Sequence, residues 1–236
     1  MARNKPDKPR VFCIGWHKTG TTTMGKALLE LGYSVLGCRL DMANPLLRNK
    51  LEIVLEEAGK YDALQDVPWA ALFKELDKAY PGSKFILTWR DPDRWLKSAS
   101  NHFKSADVYL HKWLYGNGVL EGNEDIYLQR YKKHNNDVRD YFANRTDYLE
   151  MDLSTNDGWD KLCGFIDEPI PQKKFPHANK GRHNYSLSEK TINIFRNITP
   201  LALRKFRVKL LQHLGHPVNK DIFNNRKQNR GVHGNR

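Results

Sequence analysis

Residues 14–23, IGWHKTGTTT, pair two glycines with a lysine and a run of threonines. Gly15 and Gly20 have the spacing of the phosphate-binding loop G-x-x-x-x-G-K-[ST], but Thr21 and Thr22 stand where that loop has Lys and Ser/Thr. The lysine, Lys18, precedes the second glycine. Backbone N–H groups of such a loop curl around an anion, and the dipole of a following helix adds to the attraction. The threonines offer hydroxyl donors. A lysine on the loop crown, in place of one at the helix start, lies close to a bond being broken and neutralises charge building on a bridging oxygen.

A second group sits in RDPDRWLKS, residues 90–98. Arg90 ends an apolar run, and Ser98 follows two helical turns later. A guanidinium fork and a hydroxyl suit a phosphate. Together with the upstream loop they define a second anion site. Asp91 is read as a helix cap, with Pro92 as the first helical residue.

These groups need a scaffold. VFCIG (11–15), YSVLG (33–37), YDALQD (61–66), KFILTWR (84–90) and YLEMDL (148–153) read as strands. Helical spacing is expected over 21–31, 45–58, from Pro68 to about 80, from Asp91 through Phe103, over 121–143 and over 158–166. SLSEKTINIF begins with Ser186 and Glu189 at capping-box spacing, and NKGRHNY (179–185) is a loop by composition. Strands alternating with helices predict an α/β fold, a three-layer parallel sheet flanked by helices. Ligands on such sheets bind beyond the carboxyl ends of the strands, where Gly15, Asp66 and Arg90 all fall.

Two anion sites with the lysine moved forward resemble the sulfotransferases that use 3′-phosphoadenosine 5′-phosphosulfate. In that family a K-S/T-G-T-T loop holds the phosphosulfate, and an Arg followed eight residues later by Ser holds the 3′-phosphate. Lys18-Thr19-Gly20-Thr21-Thr22 and Arg90 with Ser98 stand at the matching places. The resemblance implies a P-loop-like sulfotransferase fold and metal-independent, in-line sulfuryl transfer to a hydroxyl or amine, leaving 3′,5′-bisphosphoadenosine. It implies that Lys18 and Asp66 are catalytic, and that His17, Lys18, Thr19, Gly20, Thr21, Thr22, Thr23, Arg90 and Ser98 bind the nucleotide. Asp66, in QDVPW, takes the place of the histidine base of cytosolic members, as acidic bases do in other branches. His17 and His102 are rival bases. Lys180, Gly181 and Arg182 resemble the late K-G-R loop over the 3′-phosphate. Cytosolic members often stack a tryptophan on adenine where this chain has Thr23, leaving Trp95 and Trp16 as aromatic candidates.

The 236 residues are expected to form one domain over 1–216 and a basic, disordered tail over 217–236. Cys13, Cys38 and Cys163 are too few and scattered for a disulfide framework. No apolar run suits a membrane span, so a cytoplasmic protein is expected. The net charge of +12 is concentrated in residues 172–236, which carry 15 Lys/Arg against Glu189 and Asp221. That segment keeps a nucleic-acid binder in play as a rival, although no RNA-binding aromatic motif or zinc finger appears. A kinase with a degenerate phosphate loop is the other rival; it lacks the lysine after Gly20. The partner expected is a small-molecule acceptor, its pocket built from 36–60 and 104–145, where Tyr109, Trp113, Tyr115 and Tyr127 either line an apolar cavity or pack as core.

Overall fold

The structure, a computed structural model, describes residues 3–155 and 157–177. Five parallel strands, β1 (Val11–Cys13), β2 (Val35–Leu36), β3 (Ala63–Gln65), β4 (Lys84–Thr88) and β5 (Tyr148–Met151), lie in the order β2-β3-β1-β4-β5. Each falls inside one of the five apolar runs. Strands buried on both faces read as continuous apolar runs, as VFC and FIL do.

Side-chain alternation divides the core in two. Phe12, Leu64, Phe85 and Leu87 face one layer, and Val11, Cys13, Ala63 and Ile86 face the other. The second face is covered by α1 (Thr21–Glu30) and α8 (Trp159–Ile166). The first is covered by α2 (Ala43–Leu47), α3 (Leu51–Ala58), α4 (Phe73–Ala79), α5 (Pro92–Phe103), α6 (Tyr109–Tyr115) and α7 (Glu124–Tyr141). The expected three-layer α/β architecture is therefore present.

Helix boundaries differ from the sequence reading in three places. The span 45–58 is two helices, because residues 48–50 form a turn in which Asn49 takes a φ of 55°. Asparagine visits this left-handed region at low cost. Pro68 precedes a short 3-10 segment, Trp69–Leu72, instead of opening a helix. Helix α6 was not expected at all. By contrast α5 starts as read: the Asp91 carboxylate accepts from Arg94 N at 3.0 Å, with Pro92 at the first helical position.

Because β1 lies between β3 and β4, the chain reverses its direction of growth across the sheet at β1. In open sheets of this kind such a reversal is where a ligand crevice forms, beyond the strand ends. Residues 14–20, 66 and 90 all leave the sheet at that point. Lys180, Gly181, Arg182, Ser186, Glu189 and the tail 217–236 lie outside the described residues. No helix among the described residues is long and apolar enough to cross a membrane.

Candidate functional site

The loop is built from its glycines outward. At Gly15 the end of β1 passes so close to β4 that an added Cβ would lie 1.9 Å from Thr88 Oγ1 and 2.5 Å from the Thr88 carbonyl oxygen. Only glycine permits this approach. Gly20 takes a φ of 102° as the residue before α1, a conformation that favours glycine. No side chain caps α1, so its first-turn N–H groups face the loop. Lys18 has a φ of 67°, which places it on the crown. This is the curled backbone expected of an anion cradle.

Three side-chain contacts tie the crevice together. Thr21 Oγ1 donates to Asp66 Oδ2 at 2.7 Å. Asp66 Oδ1 accepts from Val67 N at 2.7 Å. Arg90 Nη1 donates to the Lys18 carbonyl at 3.2 Å. Lys18, Asp66 and Arg90 therefore converge from the ends of three adjacent strands. Asp66 does not cap the following 3-10 segment with its side chain; its carboxylate points to the loop.

Charge and burial tune the same groups. Burial pushes the Asp66 carboxyl above the ordinary carboxylate range, while Thr21, the Val67 N–H and the Lys18 ammonium pull it back. Burial lowers the Lys18 ammonium, Asp66 raises it, and Arg90 lowers it further. The Asp66 charge also raises Cys38, in the chain after β2, and Tyr115, on α6, in both cases less than burial does. Those are parts of the two segments expected to surround the acceptor.

Two nucleotide-site residues turn away from the crevice. Thr19 is 4% exposed, and its hydroxyl donates to Trp16 O at 2.6 Å and pairs with Thr88 Oγ1 at 2.8 Å. Its N–H also bonds Trp16 O, so Thr19 braces the loop instead of presenting a hydroxyl to a ligand. The His17 ring is 3% exposed, with Nε2 on the Tyr115 hydroxyl at 2.7 Å. Burial holds it neutral, and its ring packs among Trp95, Phe103 and His111. The rival base His17 is thus a core residue, and His102 lies on an exposed stretch of α5 against Phe103.

The two tryptophan candidates for adenine are also core. Trp95 is fully buried between Tyr131, whose ring lies 4.2 Å away, and His17, and its Nε1 donates to His17 O at 2.8 Å. Trp16 is fully buried, its Nε1 on the Tyr115 hydroxyl and Arg130 over its ring. Neither face is open to a ligand. A cavity of about 210 Å³ instead lies beside the start of α1, lined by Thr23, Leu153, Thr155, Asp157, Phe175, Pro176 and His177. Of the four aromatics assigned to 104–145, Tyr115 and Tyr127 stack at 3.7 Å as core, Trp113 is partly buried and Tyr109 is exposed.

Other positioning residues carried little sequence signal. The Tyr131 hydroxyl donates to Arg90 O at 2.6 Å and accepts from Arg90 N at 3.1 Å, fixing the backbone that aims the guanidinium. His134 Nε2 meets Ile14 O at 2.8 Å and holds the loop's entrance. Both lie on the buried stripe of α7 with Tyr127 and Val138. Polar residues at helical spacing within an otherwise apolar stripe were the available clue. Ser98 is half-buried two turns into α5, with no hydrogen-bond partner for its hydroxyl among the described residues. Thr22 is exposed at the helix start and Thr23 is half-buried.

The buried imidazoles around the loop make the fold acid-sensitive. Burial lowers His111 to about 4 and His134 to about 3. Their folded values lie below the unfolded value near 6.5, so this stability is complete above pH 6.5 and is lost as the pH falls through the folded values. By pH 5 the loss is roughly 2 kcal/mol for each. A melting series should show the midpoint falling from pH 6.5 downward. A fall that begins only below pH 4.5 would assign the effect to carboxylates.

A protein of Aspergillus versicolor, "Ava biosynthesis cluster protein M", is 28% identical over 211 residues, covering 71% of this chain and 80% of its own length. The chaperone protein ClpB of Mycoplasma genitalium is 27% identical over 164 residues, covering 62% of this chain and 22% of its own length. The profile of the sulfotransferase domain family matches residues 10–116 and 107–184, a span that takes in the loop, Asp66, Arg90 and Ser98. This chain belongs to the sulfotransferase domain family.

Proposed function

We propose that this chain moves a sulfuryl group from 3′-phosphoadenosine 5′-phosphosulfate to the hydroxyl or amine of a small-molecule acceptor. The observation that carries the reading is the meeting of Lys18, Asp66 and Arg90, from three strand ends, around the open N-terminus of α1. An acid, a base and an anion clamp rarely share a crevice without a charged substrate to order.

The chemistry follows from their positions. The acceptor oxygen attacks sulfur, and the bond from sulfur to the bridging phosphate oxygen breaks in line. The Lys18 ammonium stabilises charge on that departing oxygen. Asp66, made more basic by burial, takes the acceptor's proton. The loop N–H groups and Thr22 hold the 5′-phosphate, with Thr21 within the same turn. Arg90 and Ser98 hold the 3′-phosphate, so binding energy spent away from sulfur orients the reacting end. The cavity beside Thr23 seats the adenine, with Phe175 as the aromatic wall that this chain's Thr23 does not supply. The family resemblance also assigns Lys180, Gly181 and Arg182, outside the described residues, to the 3′-phosphate.

A thermal-shift comparison tests this reading. 3′,5′-Bisphosphoadenosine should raise the melting temperature with or without magnesium, and more than ATP, ADP or AMP. A larger, magnesium-dependent shift with ATP would overturn it. Arg90 adds a refinement, since its guanidinium also braces the loop crown through Lys18 O. Arg90→Ala should weaken 3′,5′-bisphosphoadenosine by ~10–100-fold, as loss of a charge-assisted phosphate contact implies. It should weaken the 3′-dephospho nucleotide by a smaller factor that reports the loosened crown. Equal factors would remove Arg90 from the 3′-site.

A further inference from the structure

Thr21 is assigned above to the phosphate end, yet its hydroxyl is already engaged. It donates to Asp66 Oδ2 at 2.7 Å and is 3% exposed. Asp66 Oδ1 accepts from the Val67 N–H, a bond the backbone fixes, and Oδ2 accepts from Thr21, a bond that rotation of one side chain can break. A hydroxyl carries one hydrogen and cannot donate to a carboxylate and a phosphate oxygen at once. Occupation of the loop by a phosphate and coverage of the base are therefore mutually exclusive uses of the same group.

We propose that Thr21 is a donor-operated switch: in the free protein it donates to Oδ2 of Asp66 and weakens that oxygen as a base, and when the 5′-phosphate fills the loop it turns to that phosphate and leaves Oδ2 the stronger base for the acceptor. The proposal rests on the sulfotransferase reading above. No proton changes owner in this step; a hydroxyl hydrogen changes acceptor. Its consequence is an order of events. An acceptor bound first meets a carboxylate restrained by Thr21, and one bound after the donor meets a stronger base. Thr21 is accordingly a positioning residue for the base as well as a phosphate contact.

The other groups whose charge couples to the carboxylate are Lys18 from the loop, Cys38 from the chain after β2, and Tyr115 from α6. None of them donates a hydrogen bond to it among the described residues. Thr21 is thus the one side chain there whose donor is shared between base and ligand. Loss of its bond should move the carboxyl upward, the direction opposite to Thr21's present pull.

The test is a carbon-13 NMR titration of the Asp66 carboxyl in the full chain, assigned with Asp66→Asn. It compares the wild type, Thr21→Val and Thr21→Ser, each free and saturated with 3′,5′-bisphosphoadenosine. Free Thr21→Val should titrate above the wild type, and Thr21→Ser should match it. With the nucleotide bound, all three should share one midpoint, because Thr21 has left Asp66 in every hydroxyl-bearing form. If the valine variant stays displaced from the wild type by the same interval when loaded, Thr21 is a fixed orienter and the switch is refuted. Thr21→Ala serves the same comparison should the valine variant not fold. A nucleotide that changes neither the melting temperature nor the titration of the wild type would instead refute the donor assignment, and the switch with it.

Discussion

Asp66→Asn should lower turnover by about a hundred- to ten-thousandfold, the range by which a positioned general base contributes, while 3′,5′-bisphosphoadenosine still binds. The asparagine keeps the shape: its Oδ1 can still accept from the Val67 N–H, and its Nδ2 can donate to the Thr21 hydroxyl in place of the bond Oδ2 received, so the loop's packing should survive. What disappears is the ability to take a proton. The pH profile gives a second signature. Burial raises the wild-type carboxyl, so activity at saturating donor should fall on the acid side at a pH higher than an exposed aspartate would give. The residual activity of the asparagine variant should lack that limb. Near-normal turnover would move the base elsewhere, and the two histidines do not replace it: His17 is sealed in the core, and His102 lies on an exposed face.

Lys18→Ala should reduce turnover about a hundred- to a thousandfold, the effect of removing one donor from a preorganised charge-stabilising site. Nucleotide affinity should drop far less. Arg90 grips the Lys18 carbonyl and not its side chain, so the crown keeps its brace in the variant. The loss should therefore concentrate on the chemical step. It also removes one of the influences that lower the Asp66 carboxyl, so the acid limb of the remaining activity should move upward. Parallel losses in affinity and turnover, with an unmoved limb, would make Lys18 a binding residue only.

Much of the frame was legible because it is local. Each strand is a short apolar run ending in turn chemistry, and Asp91-Pro92 announces α5 by a cap and a preset φ. The loop was legible because glycine and lysine spacing encodes it directly. The converging side chains were only partly so. Asp66 and Arg90 are apart in sequence and meet because β3 and β4 flank β1, a fact of sheet order rather than spacing. Burial was the hardest property to read. Trp16, Trp95, His17 and Thr19 all have chemistry that suits a ligand, yet packing with α5, α6 and α7 consumes it for the three rings, and bonds to Trp16 O and Thr88 consume it for Thr19. Helix α6 went unread because its seven residues have no side-chain N-cap and only Gly116 marks their end; contacts with Trp16 and His17 add to its stability.

The stack of His17, Trp95 and Tyr131 joins the loop, α5 and α7 into one rigid block. The residues that flank Trp95 in the chain are those that present Ser98 and Arg90. The gap between the two ends of the crevice is consequently set like the jaws of a locked calliper. Such a device measures length: an analogue whose phosphates are spaced even one bond wider would seat at one jaw and dangle from the other.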